Sequence, residues 1–147
     1  MTEAGPGHPP YQQLLLEHYR HPRNRRRLAA PTHRGAEANP LCGDQLSVEC
    51  VVQDGVIADA AFDGRACSVS QASASLMTQA VCERPVVHAL ALAATFAARL
   101  KGEPAPETAR PLEQLEALLE VARFPARITC ALLPWKALVA ALGRADA

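Results

Sequence analysis

Leu46, Val48, Cys50 and Val52 alternate with Ser47, Glu49, Val51 and Gln53. A period of two residues marks a half-buried strand. Asp54-Gly55 follows, and then Val56, Ile57, Ala60 and Phe62 before Asp63-Gly64. Asp-Gly between two extended runs predicts a hairpin turn. A short extended piece through Cys67 would give three strands at most. Elsewhere the period lengthens. Tyr11, Leu14, Leu15 and His18 recur at helical spacing, predicting a short amphipathic helix that His21-Pro22-Arg23-Asn24 ends. Ser70 is a candidate N-cap for a helix over Ala72–Val81, and Pro85 opens a second helix through Leu100. Residues 101–111 form a Pro-rich connection. Leu112, Leu115, Leu119 and Ala122 mark a short helix, and Trp135, Leu138, Val139 and Leu142 a C-terminal one with Pro134 near its start. Residues 29–45 read as loop, and residues 1–10 as a mobile tail ahead of a single domain over residues 11–147.

Composition narrows the function classes. Of 147 residues, 49% are hydrophobic and 20% charged, so the chain can bury a core and is not of disordered type. Fifteen basic residues balance fifteen acidic ones, which argues against a generally basic nucleic-acid binder. The run Val86–Leu100, interrupted by His88, Thr95 and Arg99, is too short and polar to span a bilayer. The first ten residues show neither a basic n-region nor an apolar h-region, so no secretory signal is expected. The expected location is the cytoplasm. The neutral total hides an asymmetry: residues 17–34 carry six arginines (Arg20, Arg23, Arg25, Arg26, Arg27 and Arg34) against one acid, Glu17. That segment is either a solvated basic face or a docking surface for an acidic partner.

Five cysteines, an odd number, fit reduced thiols better than a disulfide framework. No pair has CxxC spacing, so the sequence does not support a thioredoxin-like site or a zinc ribbon. Cys50 shares a strand face with Val48 and Val52 and is expected to be an inert core thiol. Cys82 closes a helix without a sequence neighbour to work with. The other three sit in more suggestive settings. Cys42 and Asp44 flank Gly43 in a turn and can point at one ion. Cys67 lies between a strand and a helix N-terminus, where the dipole and free N–H groups favour thiolate. Cys130 follows Thr129, a candidate cap of the last helix. Three loop-borne thiols and one carboxylate would suit zinc or an iron–sulfur cluster. Sequence separations of 25 and 63 residues leave that convergence open. Among the histidines, His88 in its apolar helix is expected to be a partly buried structural residue.

Three stretches together resemble a known family. LLLEHYRHPRNRRRL resembles the opening helix and HPRN turn of the U-type iron–sulfur cluster assembly proteins, the IscU/SufU/NifU N-domain family. NPLCGDQLSVECVVQDGVIADAAFDGRACSVSQASASLMTQAV resembles their central motif, from the CGD turn to the Cys-x-x-Ser helix, and FPARITCALLPWKAL their third cysteine segment. The resemblance runs from about Tyr11 to Leu142. It implies an α+β fold: a small antiparallel three-stranded sheet with helices packed on it and a metal site at one end. It also implies that Cys42, Asp44, Cys67 and Cys130 share that site.

The long step from Cys67 to Cys130 resembles the SufU-like branch. So does Thr129, where scaffold-type IscU members carry a histidine, and the absence of their Leu-Pro-Pro-Val-Lys motif ahead of the third cysteine. That branch implies bound Zn²⁺ and a cysteine desulfurase partner of the SufS type, docked through the basic segment Arg20–Arg34. It implies Cys42 as acceptor of persulfide sulfur and Arg127 as a group that pairs with Asp44 or steers the exchange. The alternative is a non-enzymatic scaffold that assembles a [2Fe–2S] cluster, or binds iron, on the same residues. Whether the protein counts as an enzyme turns on that choice.

Overall fold

Asp54 and Gly55 both take positive φ, 53° and 77°. A turn of that form twists the way a sheet needs, so it joins its two strands without splaying them. In the computed structural model, which describes residues 10–104 and 114–143, those strands are β2 (Asp44–Gln53) and β3 (Val56–Arg65). The predicted hairpin is therefore present. The third strand is not where it was expected. It is β1 (His33–Asn39), inside the stretch read as loop, and it pairs antiparallel with β2 in the order β1-β2-β3. Nothing continues the sheet through Cys67.

The strand β1, HRGAEAN, has no bulky apolar residue to announce it. Its neighbour explains why. The helix α5 (Pro125–Leu142) lies so close to β1 that a Cβ on Gly35 would collide with the Ala137 carbonyl and the Ala141 amide. Only a nearly bare strand lets the helix approach that far.

The remaining helices are α1 (Tyr11–Arg20), α2 (Ser68–Val81), α3 (Val86–Lys101) and the short α4 (Leu115–Leu118), continued as one 3₁₀ segment over Leu119–Arg123. They confirm an α+β architecture, with helices packed on one face of a three-stranded sheet. Leu46, Val48, Cys50, Ala60 and Phe62 from the sheet meet Val69, Met77, Leu132 and Leu138 from α2 and α5 in a single buried core. Trp135 of α5 packs on Phe96 of α3 with ring centroids 5.3 Å apart. Leu115, Leu118 and Val121 are also fully buried, so the short helix is an integral part of the core. The expected mobile tail falls outside the described residues except Pro10, as do Leu112 and most of the Pro-rich connection.

Two helix starts differ from expectation. Cys67, not Ser70, is the N-cap of α2, and Ser70 lies inside its first turn. The last helix begins at Pro125, a good first-turn residue, so Thr129 is not its cap and Pro134 lies in mid-helix. At 18 residues α5 is long and apolar enough to cross a membrane, but 56% of it is buried in the core.

The opposite face of the sheet is covered by the segment after α1. Phe62 N–H donates to the Asn24 carbonyl and Arg26 N–H to the Phe62 carbonyl, so residues 24–26 extend the β3 edge. Behind them Glu49 is buried, accepting from Leu28 N–H at 2.8 Å and from Arg34 at 2.9 Å, with Arg27 at 3.6 Å. The Leu28 amide, against the cost of burial and with help from the two arginines, holds the Glu49 carboxyl below its usual range.

Candidate metal centre

The hairpin joining β1 to β2 carries the first two candidate ligands. Asn39 organises its tip: its carbonyl accepts from Gly43 N–H at 2.8 Å and its Oδ1 from Leu41 N–H at 3.1 Å. Gly43 takes φ +81°, a conformation that side chains disfavour. The turn leaves Cys42 exposed and folds Asp44, the first residue of β2, back to 7% exposure. Cys67 comes from the N-cap of α2, and Cys130 from the second turn of α5. Both thiols are half-buried.

These elements meet at one end of the sheet. One ligand atom each from Cys42, Asp44 and Cys130 lie within 4.8 Å of one another. The fourth expected residue stands beside this trio rather than inside it. Cys67 reaches Asp44 through its backbone, with its N–H 3.2 Å from Oδ2, and its Sγ contacts Ser70 Oγ at 3.7 Å. Its thiol also sits close enough to Cys130 to raise that group's pKa.

Burial, and then the neighbouring Cys67 thiol, push the Cys130 thiol up to about 12, with Cys42 and Asp44 adding to the rise. The Cys130 thiol by itself therefore resists ionisation. A divalent cation reverses that logic, because it binds thiolates and favours their deprotonation outright. Soft thiolates with one carboxylate are the donor set of a tetrahedral zinc site and also tolerate iron–sulfur chemistry. The residues therefore fit the group that the sequence implies.

Two large apolar side chains on the elements that carry the donors are exposed: Leu41, 95% exposed beside Cys42, and Phe124, 50% exposed at the N-cap of α5. Arg127 is exposed on the first turn of α5 and makes no ion pair with Asp44. Its charge instead reaches the Tyr11 phenol, whose pKa burial raises against the pull of Arg127, while Cys67 and Glu120 add to the rise.

The basic segment is less free than its composition implied. Arg23 pairs with Glu17, Arg25 with Asp63, Arg26 with Asp59, and both Arg27 and Arg34 with Glu49. Five of its six arginines thus fasten the segment to α1 and the sheet.

A family model described as "NifU-like N terminal domain" matches residues 10–131. The chain belongs to the NifU-like N-terminal domain family. A relative from Bacillus subtilis (strain 168), named zinc-dependent sulfurtransferase SufU, is 38% identical over 128 residues, covering 87% of this chain and 86% of the relative. The iron–sulfur cluster assembly scaffold protein IscU of Streptococcus pyogenes serotype M1 is 37% identical over 138 residues, covering 91% and 83%. A crystal structure of a nitrogen-fixing NifU-like protein (N-terminal) from Brucella abortus superposes with a TM-score of 0.82 at 26% identity, covering 92% of this chain and 94% of that one. The U-type resemblance drawn from the three motifs is therefore correct.

Within this NifU-like domain, one polar residue escapes sequence reasoning. Ser70 reads as a helix cap, yet it stands between Asp44 and Cys130. Its spacing three residues after Cys67 on a helix was the available signal. His18, at i+7 of the stripe that predicts the first helix, is buried with that stripe, its Nδ1 2.7 Å from Ser75 Oγ. His88, expected to be partly buried, is exposed. Cys50 is fully buried, and burial pushes its thiol up to about 12, as befits a core residue.

Proposed function

We propose that this protein acts in iron–sulfur cluster biogenesis as a zinc-dependent sulfur acceptor. Cys42, Asp44, Cys67 and Cys130 form the donor set, and a cysteine desulfurase of the SufS type supplies the sulfur. One observation carries the reading. Cys42 is exposed on a hairpin tip while its donor atom is grouped with those of Asp44 and Cys130. It is the thiol that can meet a partner without disturbing the core.

Bound zinc would keep the thiols as thiolates at neutral pH and mask them until one is released. The chain's own part is the transfer. The Cys42 thiolate attacks the terminal sulfur of the donor's persulfide. A new S–S bond forms on Cys42, the donor's S–S bond breaks, and the donor cysteine leaves as thiolate. The terminal sulfur keeps its proton as it passes to Cys42, so charge and atoms balance. Leu41 and Phe124 offer exposed apolar side chains to the docked partner, and the outward guanidinium edges of residues 20–34 a reduced positive field. Reduced thiols suit a cytoplasmic setting. Arg127 serves as an exposed steering charge on α5 rather than as a partner of Asp44.

A second reading, assembly of a [2Fe–2S] cluster on the same residues, draws support from the similarity to the streptococcal scaffold protein. Thr129, in place of a histidine ahead of Cys130, favours the first reading. Two measurements on protein purified without oxygen or added metal decide between them. The expected result is about one zinc per chain without sulfide, and one extra sulfur atom on the Cys42 peptide after turnover with desulfurase and cysteine. Near-equal iron and sulfide, or unimpaired sulfur acceptance by Cys42→Ser, would overturn it.

A further inference from the structure

Ser70 is completely buried, and its hydroxyl touches two of the proposed ligand residues. Oγ is 3.1 Å from Asp44 Oδ2 and 2.9 Å from the Cys130 carbonyl oxygen. A hydroxyl has one hydrogen to donate, so it serves one of these oxygens fully or both weakly. The Cys130 carbonyl competes for it for a specific reason. In an α-helix that oxygen would accept the N–H four residues on. In α5 that residue is Pro134, which has no N–H. The proline in mid-helix thus creates an acceptor that Ser70 fills.

The neighbouring serine shows what an undivided hydroxyl does. Ser73 Oγ donates to the Ala131 carbonyl at 2.6 Å and accepts from Trp135 Nε1 at 3.1 Å. Donor and acceptor roles are both filled without conflict, and α2 is locked to α5. Ser70 lies one turn nearer the site with its hydrogen divided. On Asp44, Oδ2 accepts from Cys67 N–H at 3.2 Å and from Ser70. Oδ1 makes no hydrogen bond among the described residues. One oxygen is anchored and the other is bare.

We propose that Ser70 is a positioning residue that anchors Asp44 Oδ2 so that Oδ1 presents to a bound cation, and that Pro134 weakens this anchor by giving Ser70 the Cys130 carbonyl as a rival acceptor. The inference rests on Cys42, Asp44, Cys67 and Cys130 forming a metal site. Its consequence is that Asp44 is held less firmly than an undivided Ser70 hydroxyl would hold it. A carboxylate ligand depends on such outer hydrogen bonds for its orientation, and their loss typically costs about 10–100-fold in metal affinity.

The experiment titrates the full chain with zinc against a chromophoric chelator, and separately with Co²⁺ followed by visible absorption. Ser70→Ala should weaken zinc binding about 10-fold. Its thiolate-to-cobalt bands should persist while the ligand-field bands change as the carboxylate swings away. Pro134→Ala supplies the missing N–H, returns the Ser70 hydrogen to Asp44 and should tighten binding. In the Ser70→Ala background that gain should vanish. Pro134→Ala keeps the test decisive if Ser70→Ala fails to fold. Wild-type affinity and spectrum in Ser70→Ala, or an equal gain from Pro134→Ala with and without Ser70, would overturn the proposal while leaving the metal site standing. Failure of the wild-type chain to bind either metal would overturn both.

Discussion

Two buried polar networks hang from the same helix, and they differ in what they leave over. Around the middle of α2, Ser75 Oγ accepts the Arg23 amide at 2.8 Å and meets His18 Nδ1 at 2.7 Å. Thr78 Oγ1 accepts from the Asn24 side-chain amide at 3.0 Å and shares its one hydrogen between the Ser75 carbonyl at 2.8 Å and the Arg23 carbonyl at 3.2 Å. This network ties α1 and the HPRN turn to the fold. At the N-terminal end of α2, Ser70 likewise divides one hydrogen between two acceptors, but here a charged group, Asp44, keeps one oxygen without a hydrogen bond among the described residues. The lesson is that a satisfied buried network serves stability, because leaving a group unpaired is costly, whereas an under-supplied one is a place for something else to bind.

That contrast is testable by breaking the satisfied network, from the largest effect to the smallest. The largest belongs to His18. Burial, joined by the Arg23 charge and opposed by Glu17 and Gln114, lowers its pKa to about 4 from 6.5. The folded state therefore binds this proton more weakly than the unfolded chain does. Stability from this group is complete above pH 6.5 and is lost as pH falls towards 4. The full swing is about 3 kcal/mol. Urea midpoints measured between pH 7 and 5 should fall steeply in the wild type and more gently in His18→Gln. A pH-independent wild-type midpoint would refute the buried neutral imidazole.

Next comes Ser75→Ala, which strips a partner from both His18 and the Arg23 amide. It should cost about 2 kcal/mol in urea unfolding and leave zinc affinity unchanged. A change in metal binding would show that the two networks are not independent. The smallest effect belongs to the surface pair of Arg26 with Asp59, 2.8 Å apart and both about two-fifths exposed. Arg26→Ala should cost under about 1 kcal/mol, less still at high salt. A larger, salt-insensitive loss would mean that the segment holds the sheet edge through its side chains rather than its backbone.

The legibility of the molecule follows the same division. Strands β2 and β3 were readable because one of their faces meets a core, which forces alternation, and Asp-Gly supplies the positive φ of their turn. The four candidate ligands were readable as motifs. Their sharing of one site was implied by the family resemblance alone, because nothing in local spacing brings residue 130 to residue 42. The strand β1 escaped because its contact with α5 demands small residues, which look like loop. The start of α5 escaped because Pro134 reads as a boundary, while Pro125 is the true first-turn proline. The arginines of residues 23–34 looked like a free charge surface because their acids, Glu49, Asp59 and Asp63, lie on strands far away in sequence. Long-range pairing of that kind has no periodic signature.

The hairpin that carries Cys42 has one more consequence, and it concerns time. Its base is clamped where Gly35 meets α5, while its tip projects beyond the core with Leu41 and Cys42 in solvent. It is a cantilever. Loop motions of this kind run in nanoseconds to microseconds, while opening a packed core is far slower. In the proposed transfer, a cysteine mounted on such an arm would leave its neighbours, collect a passenger and return without the rest of the molecule being obliged to move.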